Sequence, residues 1–166
     1  FDKFIKARIF DPLGMVDTDF HVPAAKHDRF AANYAAGAGG KLDLIDDPAK
    51  SRYLAPRKVN SGGGGLVSTA SDYLRFCKFM LNKGELDGVR LLGRKTVELM
   101  TMNHLKGDMA DMGTPRFSES TYTGIGFGLG LMPGPVGECA VAVAVAGTAT
   151  PSSSIFGGTA PLSETT

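Results

Sequence analysis

Tyr73, Phe76, Cys77, Met80 and Leu81 recur at i, i+3, i+4, i+7 and i+8, which predicts a helix with one apolar face running to about Asn82. Its start is fixed at Ser68 or Thr69. Thr69 stands three residues before Asp72, so an N-cap hydroxyl and a first-turn acid meet the free N–H groups and the positive end of the dipole. Gly84 is read as its stop. The opening residues, FDKFIKARIFDPLG, predict an amphipathic helix through Phe1, Phe4, Ile5 and Ile9, ended by Pro12 and Gly14. A further helix is expected from Arg94 to about Asn103, with Val97, Met100 and His104 roughly on one side.

Elsewhere the period changes. After the first helix a turn formed by Asp17 or Thr18 leads into an extended stretch, with Pro23 as a stop. Residues 36–58 carry AGAGG, two prolines and several Asp and Lys, and predict a long, irregular surface excursion. KGELDGVRLL reads as a pair of turns around Gly84 and Gly88 leading to a short strand. In TYTGIGFGLGLMPGP, Gly124, Gly126, Gly128 and Gly130 alternate with Ile125, Phe127, Leu129 and Leu131. That period of two predicts a strand with one apolar and one bare face, the latter packed closely by something else.

Gly62, Gly63, Gly64 and Gly65 lie just upstream of the capped helix, where each costs more backbone entropy to order than another residue would. Two readings compete. One is a slack linker or turn; the other is backbone that must approach something at distances or φ values a Cβ forbids. The run enters Leu66 and Val67 directly, without the polar or Pro-rich continuation usual in a linker.

The chain has 166 residues, enough for one domain with a sizeable core, and its 43% hydrophobic and 21% charged content is that of an ordinary globular protein. The 18 basic and 17 acidic residues are interspersed, so nothing marks a nucleic-acid surface. The longest apolar run, CAVAVAVA at Cys139–Ala146, falls far short of the ~20 residues of a membrane span. From Phe117 to Thr166 there is no Lys, Arg or Asp, and only Glu119, Glu138 and Glu164 carry charge. Composition shifts abruptly there, and residues 132–166 are expected to be an atypical low-charge tail, frame-shifted or disordered. The alternating Val and Ala of that tail are aggregation-prone if uncovered.

The common catalytic patterns are mostly absent. Gly40 and Lys41 adjoin, but Leu42 follows and Ala35 stands where a phosphate-binding loop has its first glycine; no dinucleotide fingerprint exists either. His21, His27 and His104 have no metal-ligand spacing and read as surface or capping histidines. Cys77 reads as a small core residue, and with Cys139 it forms no metal or redox motif. A serine nucleophile needs an activating base, yet no serine is followed three residues later by lysine, none sits in G-x-S-x-G, and no tyrosine is followed two residues later by asparagine.

The order of IFDPLGMVDTDFHVP, SGGGGLVSTASDYLRFCKFMLNKGELDGVRLLGRKTVELMTMNHL and GFGLG over residues 1–131 resembles the serine β-lactamase and penicillin-recognising enzyme family, of the class C type with its esterase relatives. The resemblance implies an α+β fold of the β-lactamase/DD-peptidase type, here a portion of the helical subdomain with the start of a returning antiparallel sheet. It implies hydrolysis of β-lactams, esters or small peptides through an acyl-enzyme on an S-x-x-K serine, assisted by a Y-x-N tyrosine. Both motifs normally precede the segment resembling residues 1–15, so the chain is expected to begin inside a domain, after them, and to be inactive alone. A third motif should follow the strand near Leu131, where Phe156, Gly157 and Gly158 are a superficial candidate. A small acyl substrate is the implied partner and no metal or organic cofactor is implied. The compartment is periplasmic or secreted for a lactamase, cytoplasmic for an esterase. The resemblance makes Gly62, Gly63, Gly64 and Gly65 part of the substrate-cleft wall. A non-catalytic binding module on the same scaffold is the rival reading.

Overall fold

The computed structural model describes residues 1–61, 65–112, 122–132 and 142–143. Helix α1 (Asp2–Ile5) passes without a break into a π-helical turn, Lys6–Phe10. Phe1 and Phe4 are exposed, contrary to the expected apolar face; Ile5 and Ile9 are partly buried and Phe10 is buried. The wider turn moves the buried side onward along the chain, so that Phe10, Leu13 and Met15 enter the core. Pro12 and Gly14 end the element as expected, Gly14 at φ +66°.

Thr18, Phe20 and Val22 are then buried at alternate positions, and a short antiparallel bridge joins Asp19 to Val67. A 3₁₀ helix over Ala24–Arg29 follows Pro23. Strands β1 (Asn33–Ala36) and β2 (Leu42–Asp46) form an antiparallel hairpin. This corrects the expectation of an irregular excursion over residues 36–58. The alternation Leu42–Asp43–Leu44 was present in the sequence, but its leucines are more than half exposed and no core burial marks the strand. Glycines and prolines around it give the segment a loop-like composition.

Helix α2 spans Ala70–Leu81 with Thr69 as N-cap, its hydroxyl accepting from the Asp72 N–H at 3.2 Å. The buried stripe is Asp72, Phe79 and Met80, with Phe76 half-buried, while Leu81 is 45% exposed. The apolar face therefore lies about one position away from the Tyr73–Cys77–Leu81 line. The helix ends in a Schellman arrangement: Gly84 N–H donates to the Phe79 carbonyl and Lys83 N–H to the Met80 carbonyl, each at 3.0 Å. Lys83, at φ 57°, occupies the left-handed position usually given to glycine, and Gly84 is the residue after it.

Strands β3 (Glu85–Leu86) and β4 (Val89–Arg90) form a tight hairpin whose two turn residues, Asp87 and Gly88, both have positive φ. Helix α3 (Arg94–Thr101) buries Val97 completely. His104 lies beyond its end, exposed, with Nε2 2.8 Å from the Leu99 carbonyl, a capping contact. The glycine-alternating segment is a strand only at β5 (Leu131–Met132), which pairs antiparallel with β6 (Ala142–Val143). The close approach expected of its bare face is present. A Cβ on Gly128 would strike the Met100 carbonyl, and one on Gly126 would strike the Asn103 side chain.

Phe10, Leu13, Met15, Phe79, Met80, Leu86, Val97 and Leu131 form the core, so α1, α2, the β3–β4 hairpin, α3 and β5 share one apolar centre. Among the described residues no helix is long and apolar enough to cross a membrane.

Candidate functional site

Thr18, Asp72 and Ser68 meet where the run Gly62–Gly65 enters α2. Gly62, Gly63 and Gly64 lie outside the described residues. Gly65 has φ +111°, in the region L side chains rarely adopt, and a Cβ there would only reach ordinary contact with Phe20, at 4.0 Å. Backbone conformation, not lack of space, thus requires glycine at this end of the run. Two residues later the chain is held: Val67 N–H donates to the Asp19 carbonyl at 2.8 Å, and Asp19 N–H donates back at 3.1 Å.

The side chains reinforce that bridge. Asp72 is 3% exposed, yet its Oδ2 accepts from the Asp17 N–H at 2.7 Å and from the Thr18 hydroxyl at 2.8 Å. In a capping box the acid three residues past the cap turns back to the cap's own N–H. Here Asp72 turns away, to a segment more than fifty residues distant in the chain. Thr18 has one hydroxyl proton, and with that proton given to Asp72 its oxygen accepts from Ser68 Oγ at 2.8 Å.

Asp17 faces the other way. Its carboxylate holds Lys26 at 2.6 Å and Arg29 at 2.8 Å, while Lys26 also donates to the Val16 carbonyl. The Arg29 and Lys26 hydrogen bonds bring the Asp17 carboxyl down to about 2. These groups, with Asp19, His21, Val22 and Phe30, line an open cavity of about 120 Å³ against Val67, Ser68 and Thr69. The Thr18 hydroxyl there is bonded to Asp72 and Ser68, and the Lys26 ammonium is engaged by Asp17 and the Val16 carbonyl. Burial pushes the Tyr73 hydroxyl up to about 12, so it remains protonated near neutrality. Cys77 is half-buried and burial raises its thiol as well. Among the described residues no group of three or more His, Cys, Asp or Glu is placed to hold a metal ion.

The sequence named Asp17 or Thr18 as a turn former and Asp72 as a first-turn acid. It gave no sign that the three meet, because their pairing spans two segments with no local periodicity in common. Phe156, Gly157 and Gly158 lie outside the described residues.

A family model described as Beta-lactamase matches residues 1–160. Protein Rv1367c of Mycobacterium tuberculosis is 36% identical over 134 residues, covering 78% of this chain and 31% of that protein. Among solved structures, unliganded simvastatin synthase (LovD) from Aspergillus terreus superposes with a TM-score of 0.59 at 22% identity, over 79% of this chain and 34% of that one. EstCE1, a hydrolase with promiscuous acyltransferase activity, gives 0.57 at 22% identity, over 79% and 34%. The chain thus spans about a third of the length of these proteins.

Proposed function

Because this chain belongs to the β-lactamase family, we propose that it is one portion of a serine hydrolase acting through an acyl-enzyme on β-lactams, esters or small peptides, with the nucleophile and its base carried by another part of the polypeptide. The observation that carries the reading is the site itself. The end of the glycine run is held in place by the Asp19–Val67 bridge and the Thr18–Asp72 bond, and the Thr18 and Ser68 hydroxyls beside it are engaged in that structural network, Thr18 with the Asp72 carboxylate and Ser68 with Thr18. Such an arrangement suits a wall for an acyl group rather than a catalytic centre. The hydrolase and promiscuous acyltransferase activity named for EstCE1 is consistent with an acyl group as the ligand. In this reading Gly62–Gly65 keep the wall low, residues 1–131 belong to the hydrolase domain, and the low-charge residues 132–166 contain its third motif only in a shifted reading frame.

Purified chain is expected to leave a chromogenic cephalosporin and nitrophenyl butyrate intact. Turnover abolished by a serine-directed inhibitor would place a nucleophile within it and overturn the proposal. In a polypeptide joining this chain to its S-x-x-K and Y-x-N segments, Gly64→Phe is expected to lower kcat/KM for bulky acyl groups at least tenfold more than for acetate, an expectation of about 1.4 kcal/mol in the difference of barriers. An unchanged acyl preference would remove the cleft-wall assignment. The non-catalytic alternative predicts β-lactam or ester binding without turnover even in that longer polypeptide.

A further inference from the structure

An endoprotease that cuts a folded protein must draw several residues of backbone into its cleft in extended form, bonded to the cleft instead of to the substrate's own chain. Residues 55–60 meet that requirement. Ala55 is extended, at φ −135° and ψ 149°, and Pro56 behind it disfavours a helical turn there. Ala55, Pro56, Arg57, Lys58 and Val59 are exposed, Val59 at 80%. Among the described residues none of residues 55–60 makes a backbone hydrogen bond, and Arg57 and Lys58 enter no ion pair. The Asn60 side-chain oxygen is buried with no donor among them, so lifting the segment hydrates an atom that the fold leaves unsatisfied. Comparable lysines are tied down. The Lys41 carbonyl accepts from Gly37 N–H, and Lys50 N–H donates to the Asp47 carbonyl. Lys106 is exposed as well, but Asn103 binds Leu105 N–H and the Gly107 carbonyl on either side of it, while His104 and Met109 N–H donate to the Phe127 and Ile125 carbonyls.

We propose that residues 56–59 are a processing site for an endoprotease that selects basic side chains, cutting after Arg57 or Lys58 while the molecule stays folded and leaving two pieces that remain joined. The partner is an enzyme whose specificity pocket carries a carboxylate to receive one cation. The step is a hydrolysis: the peptide C–N bond breaks, water gives its hydroxyl to the carbonyl carbon, and a proton goes to the departing nitrogen. What holds the pieces together lies on both sides of the cut. The paired Asp19–Val67 backbone bonds, the Asp72 carboxylate's bonds to Asp17 N–H and the Thr18 hydroxyl, and the Arg75 bond to the Leu13 carbonyl all join residues before it to residues after it. Phe10, Leu13 and Met15 share one core with Phe79, Met80 and Val97.

The test exposes the 166-residue chain, under native conditions, to an endoprotease that cleaves only after lysine, and follows intact masses over time. The first products are expected to be residues 1–58 and 59–166, formed about tenfold faster than any cut at Lys106. The two pieces should elute together in size exclusion and separate only in denaturant. Lys58→Gln changes an exposed side chain without an ion partner and is expected to abolish these products while the slower cuts keep the parent rate. Trypsin should still nick that variant after Arg57. An earlier cut at Lys41, Lys50 or Lys106, cleavage at all lysines together, no trypsin cut at Arg57, or pieces that part without denaturant would overturn the proposal.

Discussion

Asp17 shows how much one side chain takes from its neighbours. Its carboxyl stands at about 2 rather than 3.8 because Arg29 and Lys26 bind its charged form. A carboxyl lowered in the folded state contributes stability that is fully present above its unfolded value and is lost as pH falls through the folded one. The 3₁₀ helix carrying both cations is therefore expected to loosen between about pH 4 and about pH 2. Asp17→Asn should flatten the pH dependence of the thermal midpoint over that window and leave it unchanged above pH 5; an unaltered slope would count against the pairing. Gly84 is constrained by space as well as by conformation. At φ +89°, a Cβ would collide with the Leu92 carbonyl, so Gly84→Ala is expected to cost more than about 1 kcal/mol in chemical denaturation. Lys83→Gly acts in the opposite direction. Relief of a left-handed non-glycine residue, less the added chain entropy, should raise stability by about 0.5–1 kcal/mol.

At the scale of elements, helix ends and tight turns were legible where their signals are local. Thr69 and Asp72 marked the start of α2, the turn expected around Gly88 is the β3–β4 turn, and Pro12 with Gly14 ended the first helix. Faces were read less well. Phe79 is 2% exposed and Leu81 45%, although Leu81 lay on the expected stripe. The Phe76 and Phe79 rings lie tilted with centroids 5.9 Å apart, Phe79 in the core that also holds Phe10, Leu13 and Val97 and Phe76 packed against that core. A twelve-residue helix rich in apolar side chains offers several adjacent stripes, and its partners choose among them. Phe79→Ala is accordingly expected to cost about 3–5 kcal/mol and Leu81→Ala under about 1, measured as the shift in denaturation free energy. Equal costs would restore the original stripe. The β1–β2 hairpin was missed for the same reason. Its pairing lies across Gly37–Lys41, where Tyr34 faces Leu44 and Ala36 faces Leu42, and a residue-by-residue reading of composition does not see cross-strand partners.

For the whole molecule the core has one centre. Leu13 and Val97 are the fully buried large side chains among the described residues, and they come from opposite parts of the chain. Leu13→Ala is expected to lower stability by about 2–5 kcal/mol and to broaden exchange protection in α2 and α3 together, which independent subunits would not show. The sequence by itself determined the family, the α+β class, the main helix boundaries, the need for close packing at Gly126 and Gly128, and the absence of an S-x-x-K or Y-x-N pattern. Each follows from short-range order: capping chemistry, periodicity, residue spacing, or a side chain too large for its place. The tertiary structure alone decided which face of α2 is buried, that Lys83 rather than Gly84 takes the left-handed position, and that Asp72 turns from its own helix to Thr18. The Lys83 conformation depends on the bonds that close α2 and on the approach of Leu92 to Gly84, and the Asp72–Thr18 pairing on segments more than fifty residues apart; the free energy that selects these outcomes exists only once the partners are folded against each other.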